Sequence, residues 1–249
     1  MSVLKRIVFF WIGEDVGLPS LLVASIRHHM PRGLEVIQLS DTATPRVHGT
    51  TRYVSLNLSP AIMVARLEAY SALRIAEPTL YLDADMLVVR PFDLPALAVN
   101  EIGVTPRTRR DDGLIQEAGE QPMFPEFRGR TLREVMPYIY SFVYASSEAL
   151  FVRQLELLRA MPAAFRAWFG DQVTLKEALA SEPFTAREFD ADRYNRTVKT
   201  SAEYEDACAS GDPPCILHFK GAEAKRVMAE VGATMRPSGR RRHWWPWRT

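Results

Sequence analysis

Short, continuously apolar runs alternate along this chain with runs of helical spacing, and that alternation restricts the fold more than any other feature. Residues 7–12 are apolar and rich in strand formers, residues 21–30 carry apolar side chains at helical intervals, and residues 34–39 are apolar again before Ser40-Asp41. The predicted order is strand, helix, strand. A Thr-rich loop from Thr42 leads to a short strand over 53–58. Ser59-Pro60 then opens a helix in "SPAIMVARLEAYSALRIAE", with Ser59 as N-cap, Pro60 in the first position and Pro78 beyond the end. Further strands are predicted over 79–89, 102–106, 138–144 and 215–219, and helices over 147–161 and 172–180. Residues 107–130, rich in Gly, Pro and charge, lack any periodicity and read as a long functional loop. The implied class is α/β, a mostly parallel sheet flanked by helices, with later elements adding antiparallel pairing.

With 249 residues, 47% of them hydrophobic, the chain can bury the core of one domain. The 31 basic residues nearly balance the 30 acidic ones, which excludes a strong global attraction to nucleic acid and leaves only local basic clusters at 107–110 and 240–242. Lys5 and Arg6 before the first apolar run imitate a signal peptide, but no small-residue cleavage site follows, so a buried strand is the better reading. No stretch reaches the roughly 18 apolar residues that a membrane-spanning helix needs. Cys208 and Cys215, with only His218 nearby, fit no common zinc spacing and read as ordinary thiols of a cytoplasmic protein.

The stretch "YLDADMLVVRPF" places Asp83 and Asp85 on either side of Ala84, late in an apolar run. If the strand continues through them, the two carboxylates share one face. They also lie near the carboxyl end of a buried strand, where open α/β sheets hold ligands. Two hard oxygen donors suit Mn²⁺ or Mg²⁺, either of which keeps positions for water and phosphate oxygens. The plain structural alternative is a solvated strand end. A second Asp-x-Asp, Asp190-Ala191-Asp192, has no strand pattern leading into it and reads as loop.

In Tyr81 to Asp85 the chain resembles the Y-L-D-x-D signature of GT-A (Rossmann-like) nucleotide-diphospho-sugar transferases, above all the glycogenin and lipopolysaccharide galactosyltransferase group, glycosyltransferase family 8. Three further segments, one before it and two after, fall in the family's order along the chain. "MVARLEAYSAL" is similar to the helix whose arginine, here Arg66, contacts the donor. "FGDQVTLKEAL" resembles the segment whose acidic and amide residues, here Asp171 and Gln172, sit beside the donor sugar as the catalytic pair. "ILHFKGAEAK" resembles the C-terminal motif whose histidine, here His218, completes the metal shell with Asp83 and Asp85, and whose Gly221 and Lys225 bind diphosphate. In this chain Lys225 stands four residues after Gly221, and Lys220 is the substitute next to it. By position, Trp11, Ile12 and Gly13 face the base, with Ala84 beside the nucleotide.

The resemblance implies a single domain over residues 1–235 that uses Mn²⁺ or Mg²⁺. It moves a sugar, with retention, from a nucleoside-diphosphate donor, UDP-linked, to a glycan or a lipid-linked acceptor. Alternatives stay open residue by residue: Arg66 as a surface charge, Asp171 as a helix cap, His218 as a satisfied core histidine. At the level of function the rivals are a haloacid-dehalogenase-type phosphatase, since "YLDAD" also fits its nucleophile strand, and a non-catalytic nucleotide-sugar-binding protein. The tail at 236–249, "RPSGRRRHWWPWRT", combines three consecutive arginines with three tryptophans. That is the composition of a peripheral contact with the inner face of an anionic membrane, although the same residues could fold back on the domain or, with 107–110, grip a nucleic-acid acceptor.

Overall fold

The structure is a computed structural model that describes residues 4–109, 111–115 and 127–234. The tail at 236–249 and much of the 107–130 loop therefore lie outside the described residues. The first half alternates as the apolar pattern demands: β1 (Arg6–Phe10), α1 (Gly17–His29), β2 (Glu35–Asp41), β3 (Arg52–Leu56), α2 (Ile62–Ala72) and β4 (Thr79–Leu82), followed by β5 (Met86–Val88). Beyond it come β6 (Glu101–Pro106), α3 (Leu132–Val135), β7 (Tyr138–Ala145), α4 (Ala149–Ala160), α5 (Ala163–Ala167) and α6 (Gly170–Leu179). The last stretch holds β8 (Thr185–Glu188), α7 (Ala191–Tyr194), β9 (Arg196–Val198), α8 (Ser201–Ala209), β10 (Ile216–Phe219) and α9 (Ala222–Thr234).

Seven strands form one sheet in the order β3-β2-β1-β4-β7-β6-β8. From β3 to β4 every pairing is parallel; β7 runs antiparallel to both β4 and β6, and β8 lies parallel to β6. Strands β1 and β4, inside the parallel part, are apolar at nearly every position because both faces are covered, whereas β3 lies at the edge and is buried nowhere along its length. Side chains alternate between faces: Val8, Tyr81 and Val143 join a core with α2, α4 and α6, while Ile7, Leu80 and Phe142 join another with α1. Tyr70, Tyr81 and Phe151 pack as a trio with ring centroids 4.5 to 5.0 Å apart, which ties α2 and α4 to β4. A second sheet, β5-β10-β9, packs its own core against α9, with Leu87, Leu217, Phe219 and Met228 fully buried.

Several expectations are corrected. The predicted strand over 79–89 is two strands: Asp83, Ala84 and Asp85 form a turn between β4 and β5, so the carboxylates are not related by strand pleat. The turn is held from both sides, since Asp83 N–H donates to Ser141 O (3.2 Å) and Asp85 O accepts from Phe219 N–H (2.9 Å). Helix α2 begins after Ala61 with no side-chain cap, and Ser59 instead accepts from Ala61 N–H, forming a turn just upstream. Asp190-Ala191-Asp192 is not loop, because Asp190 caps α7. Among the described residues no helix is long and apolar enough to cross a membrane.

Candidate functional site

The turn after β4 hands the chain from the large sheet to the small one, and this crossing assembles the site. In the small sheet Met86 pairs with His218 across the antiparallel β5–β10 ladder, which sets His218 beside Asp85. Donor atoms of Asp83, Asp85 and His218 all lie within 4.8 Å of one another, with His218 Nε2 at 3.4 Å from Asp85 Oδ1.

The histidine is buried and its ring is hydrogen-bonded. Its Nδ1 lies 3.0 Å from Ser141 Oγ and 3.1 Å from Asn195 Oδ1. Ser141 spends its own proton on Asn195 Oδ1 (3.0 Å), while the Asn195 amide donates to Thr105 Oγ1 (2.7 Å). Asn195 Oδ1 can only accept, so it takes a proton from Nδ1, and Nε2 is the ring nitrogen that faces Asp85. An imidazole oriented through its other nitrogen is the arrangement that metal-ligating histidines use. Two carboxylates and that nitrogen make a donor set that fits Mn²⁺ or Mg²⁺.

Opposite charges flank the cluster. Arg66, from α2, donates to Asp171 Oδ2 at 2.7 Å and comes within 3.5 Å of Asp83, with its guanidinium 5.6 Å from the centre of the Tyr140 ring. Burial pulls the Arg66 pKa down, but Asp83 and Asp171 more than offset it and hold it well above its ordinary value. Asp171 itself is pushed up by burial, with Arg66 drawing it partly back. Burial pushes Asp85 the same way, yet His218 and then Lys225, whose Nζ is 3.6 Å from Asp85 Oδ2, leave it below the usual carboxylate range.

A cavity of about 260 Å³ opens beside these groups. Arg66, Asp83, Asp171, Gln172, His218 and Lys220 all line it, so six of the residues singled out in the sequence face one space. Asp171 does not cap α6: the N-cap is Phe169, whose φ of 58° is left-handed, and Asp171 turns into the cavity wall. Gly170 is obligatory there, because a Cβ would lie 2.2 Å from Phe165 O. Gln154, buried on α4, donates to Asp171 O and fixes the start of the helix.

Other sequence expectations are placed apart from the cavity wall. Trp11, Ile12 and Gly13 follow β1 without lining it; Trp11 donates to Asp15 O, and Gly13 N–H donates to Thr44 Oγ1. Ala84 is buried beneath the turn. Gly221, at φ 90°, turns the chain from β10 into α9, and its O accepts from Lys225 N–H, which brings Lys225 back toward Asp85.

A second ionic group was not foreseen. Lys220 Nζ donates to Asp111 Oδ1 at 2.9 Å, and Asp111 also accepts from Thr197 (2.6 Å) and Thr108 (3.0 Å). Burial raises Asp111, yet Lys220 and these hydroxyls bring it below the ordinary range, whereas burial lowers Lys220. Arg107 is buried and donates to Met136 O, Asp111 O and Gln172 Oε1, so it orients Gln172 rather than presenting charge to a nucleic acid. Its neighbour Arg110 lies outside the described residues.

The sequence matches no protein-family model and no curated protein sequence. In structure the chain is similar to the apo form of the glycosyltransferase GlyE from Streptococcus pneumoniae TIGR4, with a TM-score of 0.58 and 13% identity over 93% of this chain and 61% of that one. The chain thus spans about three-fifths of GlyE's length. At this identity the likeness shows the fold: a mixed α/β arrangement of the GT-A glycosyltransferase type, with a mostly parallel seven-stranded sheet between helices.

Proposed function

We propose that this chain is a glycosyltransferase that uses Mn²⁺ or Mg²⁺ and a nucleoside-diphosphate sugar, UDP-linked. The observation that carries this reading is the convergence of Asp83, Asp85 and His218, its ring held through Nδ1, at the carboxyl end of β4 in a fold of this type. A divalent ion bound there supplies Lewis-acid stabilisation of the departing diphosphate. The chain's own residues do the rest. Ser141 and Asn195 keep the His218 lone pair aimed at the aspartates, and Arg66 holds Asp83 and Asp171 in fixed relation. Arg107 orients the amide of Gln172 next to the donor sugar. Lys225 and Lys220, on either side of Gly221, bring positive charge toward the diphosphate, with Asp111 as the resting partner of Lys220. Trp11, Ile12 and Gly13, at the end of β1, take the base. Leu132, Ile139 and Phe169 wall the cavity with apolar surface, which limits competing attack by water.

Retention of anomeric configuration, membership of glycosyltransferase family 8 and a lipid-linked or glycan acceptor come with the sequence resemblance and belong to the same proposal, as does a domain over 1–235 followed by a membrane-contacting tail. The test is calorimetry with UDP in the presence and absence of Mn²⁺, followed by assay of hydrolysis of UDP-sugars. Metal-dependent UDP binding with turnover is expected. Binding without turnover of any donor would favour a non-catalytic nucleotide-sugar-binding protein, and phosphate release from simple phosphomonoesters without UDP binding would favour the phosphatase.

A further inference from the structure

Large hydrophobic side chains left exposed are few among the described residues, and Trp168 is the aromatic one, with 45% of its surface accessible. It stands in the wall of the same cavity that holds Asp83 and His218. Burying an indole in the core would be favourable, yet the backbone here keeps it out. The left-handed Phe169 and the crowded Gly170 reverse the chain between α5 and α6, with Gln172 N–H and Val173 N–H both donating to Phe169 O at 3.1 Å. The Phe169 ring, 5.6 Å away at 66°, braces the indole edge to face. Beside this flat apolar surface Gln172 has its Oε1 engaged by Arg107, while its Nε2 makes no hydrogen bond among the described residues. Because Gln172 stands next to the donor sugar in the proposed reaction, an exposed aromatic face beside it suits the pyranose ring of a molecule brought up against that sugar, a ring that offers a face of C–H groups and a rim of hydroxyls.

Position within the sheet separates this surface from the base. The cavity is lined from α2, the turn after β4, the segment after β6, α3, β7, the α5–α6 corner and the end of β10, and by nothing from β1, β2 or β3. With the base proposed over the end of β1, which contributes nothing to this cavity, Trp168 stands in a wall apart from the base and is free to meet the second substrate. We propose that Trp168 is the acceptor platform and that the acceptor presents a pyranose ring to it, which makes the substrate class a carbohydrate rather than a protein side chain or a nucleic acid. This rests on the glycosyltransferase reading.

Saturation-transfer NMR with the methyl glycosides of glucose, galactose and mannose, in the presence of UDP and Mn²⁺, tests it. Transfer is expected for at least one glycoside, strongest on protons of one ring face. Trp168→Ala should weaken that glycoside about tenfold, and Trp168→Phe should restore most of the loss. No transfer from the native protein to any of the three, or transfer unchanged in Trp168→Ala, overturns the proposal. So does loss of UDP affinity in Trp168→Ala, which would assign the indole to the base. Calorimetry with UDP and Mn²⁺ on the native protein separates the two readings: if UDP fails to bind while the glycoside still depends on Trp168, the donor assignment falls and the sugar platform stands.

Discussion

The tripeptide Asp-Ala-Asp occurs twice in this chain, and the two copies do opposite things. In both the alanine is buried, Ala84 at 6% and Ala191 at 4% exposure, so in both the aspartates are left on the outer side. At 190–192 the acids serve their own backbone: Asp190 Oδ1 accepts from Asp192 N–H at 2.9 Å, caps α7 and stays exposed. At 83–85 the acids face outward from a turn between two sheets, where α2 brings Arg66, β10 brings His218 and α9 brings Lys225. Chemistry therefore resides in what distant elements deliver to the tripeptide, and the tripeptide alone carries little of it.

The largest expected effect sharpens that contrast. Asp83→Ala or Asp85→Ala should weaken Mn²⁺-dependent UDP binding by at least about a hundredfold, since each removes one of the two carboxylates of the proposed metal site, while the same changes at Asp190 and Asp192 leave it intact. Calorimetry of all four variants decides; equal affinities would erase the distinction between the copies. Next, Arg66→Met should destabilise the fold by about 3 kcal/mol, because Asp171, with 3% of its side chain accessible, would keep a buried charge without its partner. A denaturant-midpoint shift equivalent to less than about 1 kcal/mol would show that Arg66 is dispensable to the 83–85 turn.

Asn195→Ala comes third. It frees the His218 ring from its acceptor and should lower Mn²⁺ affinity about tenfold to a hundredfold, with the change of tautomer visible in imidazole ¹⁵N shifts; an unchanged tautomer would leave Asn195 with packing alone. The smallest effect is that of Asp190→Ala, which removes a cap and should cost about 1 kcal/mol of stability with no change in Mn²⁺ affinity. A loss of metal binding there would break the comparison from the other side.

The parallel half was legible because strands covered on both faces, such as β1 and β2, read as continuous apolar runs, and the helices between them keep their own spacing. The break after Leu82 was not, since Met86, Leu87 and Val88 prolong the apolar run of β4 even though they belong to another sheet. Strand β8 was missed for a different reason: its residues, Thr-Ala-Arg-Glu, are largely exposed at a sheet edge and show no buried alternation. At the site, Asp83, Asp85 and His218 could be found because their chemistry is borne by residue type within recognisable segments. Asn195, Ser141 and Asp111 could not, because a hydrogen bond between Asn195 and Thr105 spans ninety positions and leaves no periodic trace. Arg107 misled for the related reason that a basic run looks the same in sequence whether it is solvated or, as here, partly buried.

The handover from β4 to β5 has a consequence for the order in which the protein is made. Asp83 and Asp85 leave the ribosome early, with the parallel strands that carry them, whereas His218 emerges more than half of the chain's length later on β10. A nascent chain that has folded its first half thus displays two carboxylates but neither the imidazole nor Lys225. The candidate metal site of Asp83, Asp85 and His218 is complete only once the last strand pairs with Met86, so a ribosome-bound or prematurely ended product holds two of its three groups.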